Sequence, residues 1–473
     1  MSDKQELTEA IEPAETEKAR FQWRSKRGLL ILIGCIVLVA IAAVWAIGLV
    51  RANATPPADP VAVSVPLPIK QGDVPAGTKI GIIVTTGSGS AVGSEWAAAA
   101  EGAVVARERL ALGGTETELV VENDRGTPAG AEEAVTSLTE QGVAGIIYAS
   151  TGPQVASGLG IASEHGLPVI LPFGQAPADS KQVWSMAPTN EAMAEKLTET
   201  LGSYDRPLFV NAGAGLPEGV TIADSVTFQS GTGAEALAME VAQLTGSDPL
   251  SHGGYSGGTG DEEATETPEP PKQPADVIVL SGSPVIQATI VQQLQSRNVT
   301  VPILLTGSAA SPGFADALVA NEAAISPSLR TFGFDTDDAV ALSKDGRGRS
   351  MSAFLASLRQ ISANTKISNL ANDTPFAEVS SGADSRAHDA MLAFSRAVAD
   401  AGSTDPAKVG EALGDLSLVA GDAITAAELD FTSKQVVSGP VVELYATAQQ
   451  LGLRPALGAE ADALVWFAED QSQ

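Results

Sequence analysis

Gly87-Ser88-Gly89-Ser90-Ala91-Val92-Gly93 stands between a β-rich run and a helical pattern, and Glu122 or Asp124 ends the next β-rich run. A glycine turn in that context brings backbone N–H groups close to a phosphate, and an acidic strand end takes a ribose hydroxyl. The spacing here is GxGxxxG, one residue longer than the dinucleotide fingerprint. The loop therefore reads as one whose backbone N–H groups approach a solute, with an extracytoplasmic oxidoreductase as the lesser alternative.

The other reactive side chains form no constellation. His165 closes a helical pattern before Gly166, His252 lies in a low-complexity stretch, and His388 sits beside Asp389 on a helical pattern and reads as exposed. No two share metal-ligand spacing, and no Ser-His-Asp or HExxH order occurs. Cys35 is the only cysteine, so no intramolecular disulfide, thiolate cluster or catalytic cysteine is expected. The chain does not read as an enzyme: no catalytic residue, metal or cofactor is expected.

Alternating elements must position the polar loops. Lys79–Thr85 (KIGIIVT) suits a strand buried on both faces. Ser94–Leu110 then predicts a helix with Ser94 as N-cap, followed by strand 118–122, helix 129–141, strand 145–149, helix 153–164 and strand 168–172. After a break near Ser203 a second series predicts strands at 207–211, 225–228, 276–281 and 301–306, with helices at 234–244 and 286–296. Helical patterns at 350–361 and 386–400 and a strand at 439–446 complete it. Such alternation implies βαβ units and parallel sheets.

Composition sets the compartment. The run Gly28–Val50 holds 23 residues without a charge, enough to cross a bilayer as a helix. Arg20, Arg24, Lys26 and Arg27 precede it and only Arg51 follows closely, which places the N-terminus in the cytoplasm and the rest outside. Leu32-Ile33-Gly34-Cys35 imitates a lipoprotein cleavage site, but the apolar run continues far past the Cys, so the reading is an uncleaved anchor. With 57 acidic against 28 basic residues, the net charge of −29 repels nucleic acid. The expected order is a disordered cytoplasmic tail (1–27), the anchor (28–50), a Pro-rich spacer (51–77), a two-lobed domain (78–455) and a C-terminal tail (456–473). The domain carries an acidic Gly/Pro-rich insert at 251–275, read as disordered.

The segments KIGIIVTTGSGSAVGSEWAAAAEGAVVA, ELVVENDRGTPAGAEEAV and GVAGIIYASTGPQVASGLGIASEHGLPVILPF stand in an order similar to the periplasmic binding protein type I family. PLFVNAGAGLPEGV, ADVIVLSGSPVIQATIVQQL and VPILLTGSAASPGF continue it, over roughly residues 78–450. The chain most resembles the branched-chain amino-acid and amide-binding branch serving ABC transporters. The resemblance implies an α/β, two-lobed periplasmic-binding-protein type I fold with parallel sheets flanked by helices, here preceded by one N-terminal transmembrane helix. Lobe 1 is expected mainly at 78–202 plus part of 345–435, and lobe 2 at 203–344 plus 436–455.

In open parallel sheets ligands bind beyond the carboxyl ends of the strands. The ligand-binding candidates of the first lobe are therefore Ser88, Ser90, Ser150, Thr151, Gly152, Phe173, Gly174 and Gln175. Those of the second are Asn211, Ser281, Ser283 and Ser308. Helices starting near Ser94 and Pro153 would aim N–H groups at a carboxylate. Amino-acid binders of the family often carry an aromatic where Val92 stands and a Tyr where Leu216 stands, and a carboxylate near Thr306-Gly307-Ser308. Their absence implies a ligand other than a standard amino acid, or weak or no binding. Asp335 and Asp337 are read as surface-loop residues.

The functional expectation is a membrane-anchored extracytoplasmic solute-binding protein. It captures a small polar, amino-acid- or amide-like solute for an ABC transporter or a sensing system. The alternative is a degenerate, non-binding scaffold or accessory subunit of a membrane complex. Expected partners are the solute, a permease or other membrane complex, and the bilayer through 28–50.

Overall fold

The computed structural model describes residues 67–87, 91–231, 233–247, 273–448, 454 and 464–468. The expected cytoplasmic tail, membrane run, most of the spacer, most of the acidic insert, and Ser88 and Ser90 lie outside the described residues. Among the described residues no helix is long and apolar enough to cross a membrane.

The first series runs β1 (Lys79–Val84), α1 (Gly102–Leu112), β2 (Glu118–Asn123), α2 (Pro128–Glu140), β3 (Ile146–Tyr148), α3 (Gln154–Glu164), β4 (Val169–Leu171), β5 (Val183–Ser185) and α4 (Asn190–Leu201). Its five strands form a parallel sheet in the order β2-β1-β3-β4-β5. The β-branched run of β1 is buried on both faces. Ile80 and Ile82 join one apolar core and Ile83 another, because successive side chains alternate across a strand.

The second series runs β6 (Pro207–Ala212), β7 (Asp224–Thr227), α5 (Gly233–Leu244), β8 (Val277–Gly282), α6 (Pro284–Ser296), β9 (Ile303–Leu305), α7 (Pro312–Ala320) and β10 (Leu329–Gly333). Its parallel strands lie β10-β9-β8-β6-β7, the order of the first sheet repeated. After α8 (Gly346–Ser362), α9 (Ser385–Ala401), α10 (Pro406–Gly414) and the antiparallel pair β11 (Ser417–Val419) and β12 (Glu428–Asp430), the chain reaches β13 (Val442–Thr447) and β14 (Val465–Ala468). These two extend the second sheet antiparallel beside β10. Residues 465–468, expected in a tail, are therefore sheet. Trp466 packs against Phe314 at 6.4 Å.

Local chemistry starts the helices. Thr127, Ser311 and Asp405 accept from backbone N–H groups at the starts of α2, α7 and α10, each with Pro as the first helical residue. Met351, Phe354, Met391 and Phe394, from α8 and α9, share the core that holds Ile80 and Ile82.

Two expectations are corrected. The helix expected over Ser94–Leu110 is two 3₁₀ turns, Ser94–Trp96 and Ala99–Glu101, before α1 begins at Gly102. Apolar residues three or four apart suit either geometry, so periodicity does not separate them. A Cβ on Gly102 would meet the Asp384 carbonyl oxygen at 1.9 Å, so α1 approaches α9 where only glycine fits. His388, expected exposed, is fully buried, because α9 is covered on nearly all sides and the charges beside the ring are paired inside the core.

Candidate functional site

A cavity of about 1270 Å³ opens at the carboxyl ends of both parallel sheets. From the first sheet come Thr151, after β3, and Phe173 and Gln175, after β4, with Glu95 and Trp96 on the 3₁₀ turn after β1. From the second come Ser281 at the end of β8, Thr306 and Ser308 after β9, and Phe332 in β10. The rims touch. A Cβ on Gly313 of α7 would meet Glu95 Cα and Cβ at 2.8 Å.

Two features organise the first-sheet side. Trp96 and Phe173 stack with ring centroids 4.6 Å apart and planes 8° from parallel. Arg386 Cζ is 4.8 Å from the Phe173 centroid and 5.1 Å from that of Trp96. The three points form a nearly equilateral triangle, so the guanidinium sits beside the stack. Asp384, the N-cap of α9, holds it through Nε at 3.0 Å and Nη2 at 2.7 Å. Glu95 accepts from Gly93 N–H at 2.8 Å and from the Thr151 hydroxyl at 3.1 Å.

The second-sheet side is a polar network beside an acidic one. The buried Gln287 Nε2 lies 2.7–2.8 Å from Gly282 O, Thr306 Oγ1 and Ser308 Oγ and shares its two hydrogens among them. Next to it Ser281 is fully buried, and its hydroxyl has no hydrogen-bond partner among the described residues. Asp337 lies on the wall with Oδ1 accepting from Asp338 N–H at 2.9 Å. Burial, and then the adjacent Asp338 carboxylate, push Asp337 up to about 7, against the pull of that N–H and of Arg454. Arg454 grips Asp338 through Nε and Nη2 at 2.5 and 2.9 Å and donates through Nη1 to the carbonyls of Ser381 and Ala383.

The sequence candidates divide on this geometry. Thr151, Phe173, Gln175, Ser281 and Ser308 lie on the cavity wall. Ser150 does not; it is fully buried and shares a 2.5 Å hydrogen bond with Thr85, which also donates to Asp124. Gly152 packs on Gln154 and Val92, and Gly174 accepts from Ser185 through its carbonyl. Asn211 turns its Oδ1 to Gly213 and Gly215 N–H, shaping the loop that brings Leu216 to the wall. Ser283 precedes α6 away from the wall. Gly93, the last glycine of the GxGxxxG loop, is packed on Ser150, where a Cβ would lie 2.2 Å from Oγ.

Sequence reading missed Glu95, Trp96, Arg386 and Arg454, and it placed Asp337 on a surface loop. The expected lack of a carboxylate is corrected: Glu95 and Asp337 both reach the cavity, from elements distant from Thr306–Ser308. Asp335 is off the wall and pairs with Arg347.

No family model matches the chain, and no curated protein matches it. Solved structures do. The branched-chain amino-acid transporter substrate-binding protein LivJ from Streptococcus pneumoniae, in complex with isoleucine, is similar at TM-score 0.53 and 16% identity, over 78% of this chain and 96% of that one. The leucine-binding protein LivK from Thermotoga maritima is similar at TM-score 0.52 and 18% identity, over 78% and 95%. A solute-binding protein from R. palustris, in complex with 4-hydroxybenzoate, is similar at TM-score 0.54 and 15% identity, over 83% and 96%. The chain thus has the α/β fold of type 1 periplasmic binding proteins, with parallel sheets flanked by helices.

Proposed function

We propose that this chain is an extracytoplasmic solute-binding protein, tethered to a membrane by residues 28–50, that captures a small solute without covalent chemistry. The observation that carries this is the cavity at the carboxyl ends of two parallel sheets of the same strand order, where open α/β sheets take ligands. The bound solutes of the similar structures, isoleucine and 4-hydroxybenzoate, support a small organic ligand. Delivery to an ABC permease, or signalling by a sensing partner, follows as its use. Tethering through a Pro-rich spacer raises the effective concentration at a partner in the same bilayer, so weak docking suffices.

A thermal-shift screen of the full-length protein against amino acids, amides, ureas and short carboxylates tests capture. A ligand that raises Tm supports it, and a flat response across the set removes it. Partition into the membrane fraction tests the tether, and the mature mass shows whether Cys35 carries lipid.

A non-binding scaffold is the second reading. It is favoured by the Trp96–Phe173 pair, whose rings stack on each other at 5% and 6% exposure instead of standing open as a shelf. Co-purification with a membrane partner, together with an empty cavity, would favour it.

A further inference from the structure

We propose that the solute is a cation with an apolar body, and that the cavity selects an amine against a carboxylate on the same apolar body. This rests on the solute-binding reading above. Two guanidinium groups line the described wall, Arg386 and Arg454, and each is already paired, with Asp384 and Asp338. No lysine or histidine is among the described wall residues. Glu95, Glu218, Asp316, Asp337 and Glu378 also line it, and none is in an ion pair among the described residues. A carboxylate ligand therefore meets Glu95 and Asp337 inside the cavity, three exposed carboxylates at its edge and, among the described residues, no uncommitted cation, whereas an ammonium gains charge-assisted hydrogen bonds and draws Asp337 into its ionised form.

Ser281 is a separate pointer to a ligand. Its hydroxyl is buried on the wall with no partner among the described residues, an unfavourable state that a ligand's polar group relieves. Around it the wall is apolar, with Val279, Leu304, Phe332 and Leu216. At about 1270 Å³ the cavity has room for an amine carrying an apolar group.

Calorimetry on the full-length protein with three probes that share one phenethyl body tests this: phenethylamine, 3-phenylpropionamide and 3-phenylpropionate. The amine is expected to bind about tenfold more tightly than either other probe, and to weaken as salt is raised. Asp337→Asn and Glu95→Gln should each weaken the amine about fivefold or more while leaving the amide within about twofold. Amide or carboxylate binding equal to or tighter than amine binding overturns the charge assignment and leaves solute capture standing. The same holds if amino acids bind and the amine does not. If neither these probes nor the broader solute screen produces binding, solute capture itself fails.

Discussion

Arg109 donates through Nη1 to Nε2 of His388 at 2.8 Å, and both side chains are shut off from solvent. Arginine has only donors, so Nε2 is the acceptor and the ring proton sits on Nδ1, where it is donated to Asp389 Oδ1 at 2.8 Å. Asp389 also accepts from Thr425 N–H, Thr425 Oγ1 and Ala426 N–H. One ionic cluster thereby ties α1, α9 and the 425–426 turn. Removing the neutral ring leaves the buried Arg109 and Asp389 each short of a charge-assisted hydrogen bond, so His388→Ala should cost about 3–5 kcal/mol in denaturant unfolding.

The same cluster sets an acid limit. Burial, and then Arg109, hold His388 below its ordinary 6.5, against the pull of Asp389. The ring is neutral when folded and gains a proton on unfolding. Its contribution is full above about pH 6.5 and is lost as pH falls below that value. The stability gap between wild type and His388→Gln should narrow from about pH 7.5 to about pH 5.5.

Glu101 has the opposite sign. Burial raises it to about 7, although Leu370 N–H approaches its two oxygens at 3.0 and 3.1 Å. With the folded value above the ordinary 4.5, folding takes up a proton between the two. The contribution is present below about 4.5 and is lost as pH rises through about 7. Glu101→Gln keeps an acceptor for Leu370 and cannot ionise. It should gain up to about 3 kcal/mol on wild type at pH 8 relative to pH 4, read from unfolding curves at the two values.

Ser281→Ala separates a ligand contact from a structural one. The hydroxyl has no partner among the described residues, so its removal should raise the stability of the ligand-free protein by about 1 kcal/mol. The same change should weaken the bound solute about tenfold if the hydroxyl meets it. Calorimetry and thermal melts of one variant read both.

Gly313→Ala probes the touching rims. The added methyl meets Glu95 Cα, a backbone atom that cannot rotate away. Destabilisation of about 1–3 kcal/mol and weaker solute binding are expected, because α7 and the Glu95 turn must separate. Small-angle scattering should show a larger radius than wild type.

Patterns that depend on near neighbours were legible. The β-branched run KIGIIV is buried whatever packs on it, and the helix expected at 129–141 is α2, begun by Pro128, whereas α7 at Pro312–Ala320 was not expected. Two short strands were not. Val183–Ser185 lacks the all-apolar run that marked the equally short β3, β4 and β9, and the apolar Val465–Ala468 falls in the expected tail. The latter is a strand because β13 lies beside it.

For the cavity, residue type and strand order sufficed to place Thr151, Phe173, Ser281 and Ser308 near the strand ends. They did not separate Thr151 from Ser150, its neighbour, because facing the cavity or the core depends on where Thr85 and Asp124 come to lie. The charges are the clearest case. The excess of acidic residues is a property of composition. That Arg386 is spent on Asp384, Arg454 on Asp338, and Glu95 and Asp337 are left facing one cavity is decided only by folding. Electrostatic interaction depends on distance and desolvation through space, and neither is written in spacing along the chain.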